Sequence, residues 1–307
     1  MDLNTVTEVR SARTRADLAD LADLADPGTA ILAGGTWLFS TPQPHLRTLV
    51  DLTTLDWPAL TVSPRGLEVA ATCTIGQLAA LPAQPGWAAH PLLARCAAAL
   101  VASAAVCRTA TVGGNVCLAL PAGAMTSLAS ALEGTAEVWT AGGSRHLPVA
   151  ELVTGPGRTC LAPGEVLRAL HLPERALRSR TALRRTSLSP VGRSASVVIG
   201  RLDPAGALAV HVTAATPRPV RLDFPGVPAA DELRAAVEGV GEWFDDVHGA
   251  PDWRRAVTAV LAEEVRAELA RPPAGGAGGA GGALVPRQGG AVDDGGAGAP
   301  GGDGGAR

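Results

Sequence analysis

Apolar residues recur in two rhythms over the first 57 positions. In Thr14-Arg-Ala-Asp-Leu-Ala-Asp-Leu-Ala-Asp-Leu24, Leu18, Leu21 and Leu24 share one face at a 3.6-residue period, which predicts a helix that Asp26-Pro27-Gly28 stops. The short apolar run Thr29-Ala-Ile-Leu-Ala33 then ends in Gly34-Gly35-Thr36, and Leu49-Val-Asp-Leu52 reads as a second buried strand. Together these predict a compact βαβ-like unit with a glycine turn at the carboxyl end of a strand.

Residues 58–173 mix both periods. Leu67-Glu-Val-Ala-Ala71 and Ala136-Glu-Val-Trp-Thr140 read as strands, and Ala88 to Ala105 and Ala124 to Leu132 as alanine-rich helices. Between the helices, Arg108-Thr-Ala-Thr-Val-Gly-Gly-Asn115 reads as a second strand leading into a glycine turn. Residues 174–271 form a further α+β unit: strands Ser194–Leu202 and Ala207–Ala214 joined by the turn Asp203-Pro-Ala-Gly206, then helices Asp231–Val240 and Asp252–Ala270. From Pro273 to Arg307 the chain is nearly all Gly, Ala, Pro and Asp. Such a stretch has too little apolar side chain to offset its ordering entropy, so it is expected to be a disordered tail.

Composition narrows the chemistry. The 307 residues carry 26 basic side chains, all arginine, and no tyrosine. Without lysine there is neither a Schiff base to a carbonyl cofactor nor a phosphate-loop lysine. A net charge of −3 is not the basic field of a nucleic-acid binder. The five cysteines (Cys73, Cys96, Cys107, Cys117, Cys160) form no CxxC pair and have no close histidine spacing, so this chain alone offers no iron–sulfur or structural zinc motif. They read as reduced thiols of a cytoplasmic protein. The N-terminal residues lack an apolar signal core, and no apolar run is long enough to span a membrane.

The two glycine turns are the most informative feature. Each places Gly-Gly before a small polar residue, Thr36 or Asn115, where backbone N–H groups can form an anion nest or simply turn the chain. Two in one chain suggest a diphosphate held from two sides, although neither reads GxGxxG. Gly192-Arg-Ser-Ala-Ser196 resembles a nucleophile elbow without its closing glycine, and leads into a meander. The histidines (His45, His90, His146, His171, His211, His248) are scattered and read as structural, and Glu263-Glu264 as a solvated helix face.

Ile31-Leu-Ala-Gly-Gly-Thr36 followed by Thr111-Val-Gly-Gly-Asn115 resembles the FAD-binding flavoprotein subunits of molybdenum hydroxylases, the medium chains of carbon monoxide dehydrogenase and xanthine dehydrogenase type enzymes. Support extends over residues 3–271. Cys160-Leu-Ala-Pro-Gly-Glu-Val-Leu167 with His171-Leu-Pro173 resembles the segment closing the flavin domain, and Thr213-Ala-Ala-Thr-Pro-Arg-Pro-Val-Arg221 and Asp245–Arg255 resemble the second domain. The resemblance implies an α+β fold: a two-subdomain FAD-binding domain of the vanillyl-alcohol-oxidase (PCMH) type at 1–173, divided as 1–57 and 58–173. A small α+β C-terminal domain with a three-stranded sheet and helices follows at 174–271, then the tail at 272–307. It implies that Leu32, Ala33, Gly34, Gly35, Thr36, Trp37 and Leu38 of the first loop bind the FAD pyrophosphate through backbone amides. Thr111, Val112, Gly113, Gly114 and Asn115 of the second loop do the same, with the Asn115 side chain adding a contact. Leu167 packs on the cofactor and Arg185 lies near the flavin. No residue of this chain is assigned as a catalytic acid or base or as a metal ligand. The partners implied are a molybdenum-pterin large subunit and a [2Fe–2S] small subunit, with NAD or another acceptor receiving the electrons.

Two departures qualify this reading. Where the family reads Ser-Pro-x-x-Asp, this chain has Leu120-Pro-Ala-Gly-Ala124, and Trp37 stands where a small or acidic residue is common. They motivate a second reading, a degenerate scaffold subunit of the same fold without tightly bound FAD. A third is a free-standing flavin oxidoreductase, which would need an acid–base residue beside the flavin.

Overall fold

The computed structural model describes residues 4–18 and 23–272. The chain opens with β1 (Glu8–Ser11), β2 (Thr29–Leu32) and β3 (Thr48–Asp51), which form a parallel sheet in the order β1-β3-β2. The strands expected at Thr29 and Leu49 are thus present and adjacent. The expected helix at Thr14–Leu24 is not described as one: short 3-10 turns occupy Ala16–Leu18 and Asp23–Ala25, and residues 19–22, Leu21 among them, lie outside the described residues. Asp17 accepts from the Arg13 and Thr14 amides, both at 2.8 Å, and so fixes a tight turn here. Leu18 and Leu24 still pack with Val50, Leu52 and Leu55 in a small core.

Next come β4 (Leu60–Ser63), β5 (Gly66–Ala70), α1 (Ile75–Ala79), α2 (His90–Ala99), α3 (Ala104–Thr109), α4 (Val112–Cys117), α5 (Ala124–Ala131), β6 (Thr135–Thr140) and β7 (Gly143–Pro148). The segment closes with α6 (Val149–Leu152), β8 (Val153–Gly155), β9 (Arg158–Thr159) and β10 (Val166–Pro173). The main sheet runs β4-β5-β10-β6-β7, with β8 and β9 as a separate ribbon. Two sequence readings need correction. The single helix expected over Ala88–Ala105 is two, because Val101 takes φ +55° and the Ser103 hydroxyl caps α3 by accepting from the Val106 amide. The strand expected at Arg108–Asn115 is helix, turn and helix. Its β-branched Thr-Ala-Thr-Val run suited a strand, but Thr111 is the N-cap of α4, so Gly113 and Gly114 sit in a helical first turn.

The remaining elements are α7 (Glu174–Leu177), β11 (Arg180–Thr186), β12 (Ser196–Leu202), β13 (Leu208–Thr213), β14 (Val220–Phe224), α8 (Ala230–Glu238) and α9 (Pro251–Ala270). The second sheet is β11-β12-β13-β14, four strands rather than the three expected. Three arginines (Arg180, Arg184, Arg185) mask the strand character of β11. Helix α9 covers one face of this sheet through Leu261, Val265 and Leu269. Helix α5, buried along its whole length, packs on its other face and on the main core. Residues through Arg271 pack as one compact unit, and the tail from Pro273 lies outside the described residues. Among the described residues no helix is long and apolar enough to cross a membrane.

An ion-pair cluster stitches the two sheets together. Glu133, which follows α5, bonds Arg201 of β12 at 2.6 Å, Arg175 at 2.7 Å and Arg221 at 3.3 Å. Burial pushes the Glu133 carboxyl up, but the three guanidiniums outweigh it and hold the group below its ordinary value near 4.5. A depressed folded-state pKa means stability that is present above the unfolded value and lost as pH falls through the folded one. Glu133→Gln is therefore expected to be less stable than wild type at pH 7 and to lose less on acidification below about pH 4.5. Urea midpoints at pH 7 and pH 4 check this; parallel acid limbs would refute it.

Candidate functional site

The first glycine loop leaves the carboxyl end of β2 and turns at once. Gly35 takes φ +65°, and a Cβ there would meet the Phe39 ring at 2.4 Å. The Phe39 amide donates to the Gly35 carbonyl at 2.9 Å and that of Ser40 to Trp37 at 2.9 Å, closing one helical turn. As at any helix start, the amides ahead of the first closed turn have no carbonyl to donate to. Among the described residues, the N–H groups of Gly34, Gly35, Thr36, Trp37 and Leu38 find no protein acceptor. They form a nest of donors suited to an anion.

The second loop is built differently. Four of its five amides are committed: Val112 donates to Cys73 at 2.8 Å, Gly113 to Ala71 at 2.9 Å, Gly114 to the Thr111 hydroxyl at 3.1 Å and Asn115 to the Thr111 carbonyl at 3.0 Å. These bonds dock α4 against the segment after β5, where a Cβ on Gly113 would lie 2.5 Å from the Ala71 Cβ. Of this loop's backbone amides, that of Thr111, which lines the cavity, has no protein acceptor among the described residues. A side chain adds a second free donor. Asn115 Oδ1 accepts from the Met125 amide at 2.9 Å, acting as a cap for α5, whose own N-cap residue Gly123 has none. The Asn115 Nδ2 group is left without a protein partner among the described residues.

The two loops touch. A Cβ on Gly34 would lie 2.0 Å from the Thr109 carbonyl oxygen, so α3 runs directly behind the nest. Between the loops opens a cavity of about 680 Å³, in the range of cofactor sites. Ala33 to Leu38 line it, as do Thr111, Gly113, Gly114, Asn115 and Leu167. Leu32 and Val112 do not: Leu32 lies beneath Gly35, and Val112 belongs to the main core. Ala124 is buried at the start of α5 and does not line the cavity, whereas its neighbours Ala122 and Gly123 do.

Arg185 also lies outside the lining. Its guanidinium donates to the Ser194 and Ser187 hydroxyls and the Gly192 carbonyl at 3.0, 3.1 and 2.8 Å, holding the loop that carries Val191, Arg193 and Ser194 to the cavity. Sequence reasoning missed Arg193, an exposed cation at the rim with no protein partner among the described residues. Its signal lies in Gly192-Arg-Ser-Ala-Ser196, where an arginine follows a turn glycine just ahead of β12. Ser194 is bonded to Arg185 and, at 3.4 Å, to the Ala99 carbonyl.

The walls are chemically quiet. Leu118, Leu120, Leu161, Val166 and Leu167 supply apolar surface. The Arg145 guanidinium, 2.6 Å away, outweighs burial and holds the Glu165 carboxyl below the usual carboxylate range. Burial pushes the Cys117 thiol up to about 12, so it is protonated at neutral pH. Among the described lining residues there is thus no free acid–base group. The arrangement can hold an anion and a large flat apolar group side by side, and it can exclude water from the latter.

The fold has close counterparts. Quinoline 2-oxidoreductase from Pseudomonas putida 86 superposes with a TM-score of 0.73 at 22% identity, over 87% of this chain and 98% of that one. Carbon monoxide dehydrogenase from Hydrogenophaga pseudoflava gives 0.70 at 19%, over 85% and 96%. The reconstituted carbon monoxide dehydrogenase from Oligotropha carboxidovorans gives 0.73 at 20%, over 87% and 99%. No curated protein matches the chain in sequence. Residues 6–175, more than half of the chain, match the family described as the FAD binding domain in molybdopterin dehydrogenase, and the chain, with FAD as its cofactor, belongs to that family.

Proposed function

We propose that this chain is the FAD-binding subunit of a molybdenum hydroxylase complex, where electrons arriving from [2Fe–2S] clusters on a small subunit pass to NAD or another acceptor. A large subunit carrying the molybdenum pterin would oxidise the substrate. The observation that carries the reading is the row of unpartnered amides from Gly34 to Leu38, which lines the same largely apolar cavity as Asn115. Five successive donors without protein acceptors, in a loop that lines the cavity, suit a diphosphate. That fit favours a flavin-loaded subunit over a degenerate one.

The residues divide the work. The nest from Gly34 to Leu38 and Asn115 Nδ2 bind the diphosphate, Leu167 and its apolar neighbours seat the ring system, and Arg193 offers positive charge at the rim. Arg185 positions the loop bearing Arg193. When bound, FAD supplies the chemistry of accepting and passing on electrons, which the protein tunes by its surroundings. The lack of a free acid or base in the cavity suits a subunit that relays electrons and does not activate its own substrate. The neighbour from Hydrogenophaga pseudoflava is described as lacking the Mo-pyranopterin moiety of its molybdenum cofactor, which supports a molybdenum-bearing partner here.

The test is the visible spectrum of the purified full chain, alone and co-expressed with its partners. Bands near about 370 and about 450 nm, with FAD as the released cofactor, are expected. A chain that stays colourless in both states and takes up no added FAD would overturn the reading. Asn115→Ala is expected to weaken FAD binding by about tenfold, the worth of one hydrogen bond to a charged group.

A further inference from the structure

On the main sheet, away from the cofactor cavity, three potential metal ligands converge. Glu137 on β6 lies directly opposite His146 on β7, and on β10 His171 sits diagonal to Glu137, two residues beyond its partner Ala169. All three share one face of the sheet, and none lines the cavity. His171 Nε2 is 3.0 Å from Glu137 Oε2, the two imidazole rings are 5.9 Å apart, and all three ligand atoms lie within 4.8 Å of one another.

We propose that Glu137, His146 and His171 bind one divalent transition-metal ion of the Zn²⁺ class, with water completing its coordination. Two imidazoles and one carboxylate suit zinc, nickel and copper rather than magnesium or calcium, which prefer oxygen alone. Metal–ligand bonds of about 2.0–2.1 Å put tetrahedral ligand atoms about 3.4 Å apart. The Glu137–His171 pair is already that close. His146 is exposed on edge strand β7, so its side chain is free to swing in to complete the site. A supporting partner is in place as well: Trp139 Nε1 donates to Glu137 Oε1 at 3.2 Å, orienting the carboxylate so that Oε2 faces the histidines. The nearby Arg168 is paired with Glu68 at 3.4 Å, which reduces its repulsion of a cation.

The experiment is calorimetric titration of the FAD-loaded full chain with ZnCl₂, with MgCl₂ in parallel. One zinc per chain is expected and no magnesium. His146→Ala and Glu137→Gln should each weaken zinc binding by at least about tenfold, while Cys160→Ser, which removes the exposed thiol, should leave it unchanged. All three variants should keep the wild-type flavin spectrum, because none of these residues touches the cavity. The proposal is overturned if wild type takes up no zinc, if zinc binds equally well to His146→Ala and Glu137→Gln, or if Cys160→Ser abolishes it.

Discussion

Gly34→Ala is expected to fold and to lose FAD. A Cβ at this position would sit 2.0 Å from the Thr109 carbonyl oxygen and 2.8 Å from its carbon, both backbone atoms at the end of α3. No side-chain rotation relieves such a contact, so the first loop and α3 must move apart. Overpacking of this kind costs about 1–3 kcal/mol, which a chain with a large separate core absorbs. The nest does not absorb it so easily. The loop carrying its five amides is pressed against α3, and a displacement of about 1 Å takes donors out of hydrogen-bond range of a diphosphate. Flavin content after purification is expected to fall more than about tenfold, with little change in far-ultraviolet circular dichroism. Gly142→Ala, at a turn where an added Cβ meets nothing within 4 Å, serves as the control and should retain full flavin. If Gly34→Ala bound FAD as wild type does, the nest would not be the anion site.

Much of this architecture was legible in the sequence, and the failures have physical causes. The strands at Thr29–Leu32 and Thr48–Asp51 were legible because short apolar runs bounded by turn residues have few other ways to bury themselves. The Ser196–Leu202 and Leu208–Thr213 pair was legible because Asp203-Pro-Ala-Gly206 dictates a reversal. The second glycine loop was located correctly and its local structure misread. One hydroxyl, that of Thr111, turns a β-prone stretch into a helix start and satisfies the very amide that motif reasoning would have given to a ligand. Arg185 and Arg193 show the same limit, since which arginine braces a loop and which reaches a cavity depends on hydrogen bonds formed only after folding. The convergence of Glu137, His146 and His171 was invisible for a related reason. Cross-strand register unites residues that no spacing rule connects.

Arg254→Met is expected to be the most destabilising of these substitutions, and it acts far from the nest. Arg254 on α9 is only 1% exposed. Its guanidinium donates to the Gly249 carbonyl at 2.8 Å, to the Ala195 carbonyl at 2.7 Å and to the Ala214 carbonyl, and it pairs with Asp246. Ala195 precedes β12 and Ala214 follows β13, so one side chain ties α9 and the 246–249 turn to the ends of two central strands. Methionine keeps much of the volume but donates nothing, leaving the carbonyls and the Asp246 carboxylate without these bonds. Breaking a buried pair in this way costs about 3–5 kcal/mol, or roughly 10 °C in Tm for a chain of this size. Asp246→Asn should cost less, because its amide oxygen still accepts from the guanidinium. Ala195 also adjoins Ser194 at the cavity wall. On heating Arg254→Met, flavin release is therefore expected to coincide with the unfolding transition, whereas Gly34→Ala lacks flavin while still folded. A Tm for Arg254→Met within about 2 °C of wild type would show that the carbonyls find other donors and that α9 is held by its apolar face alone.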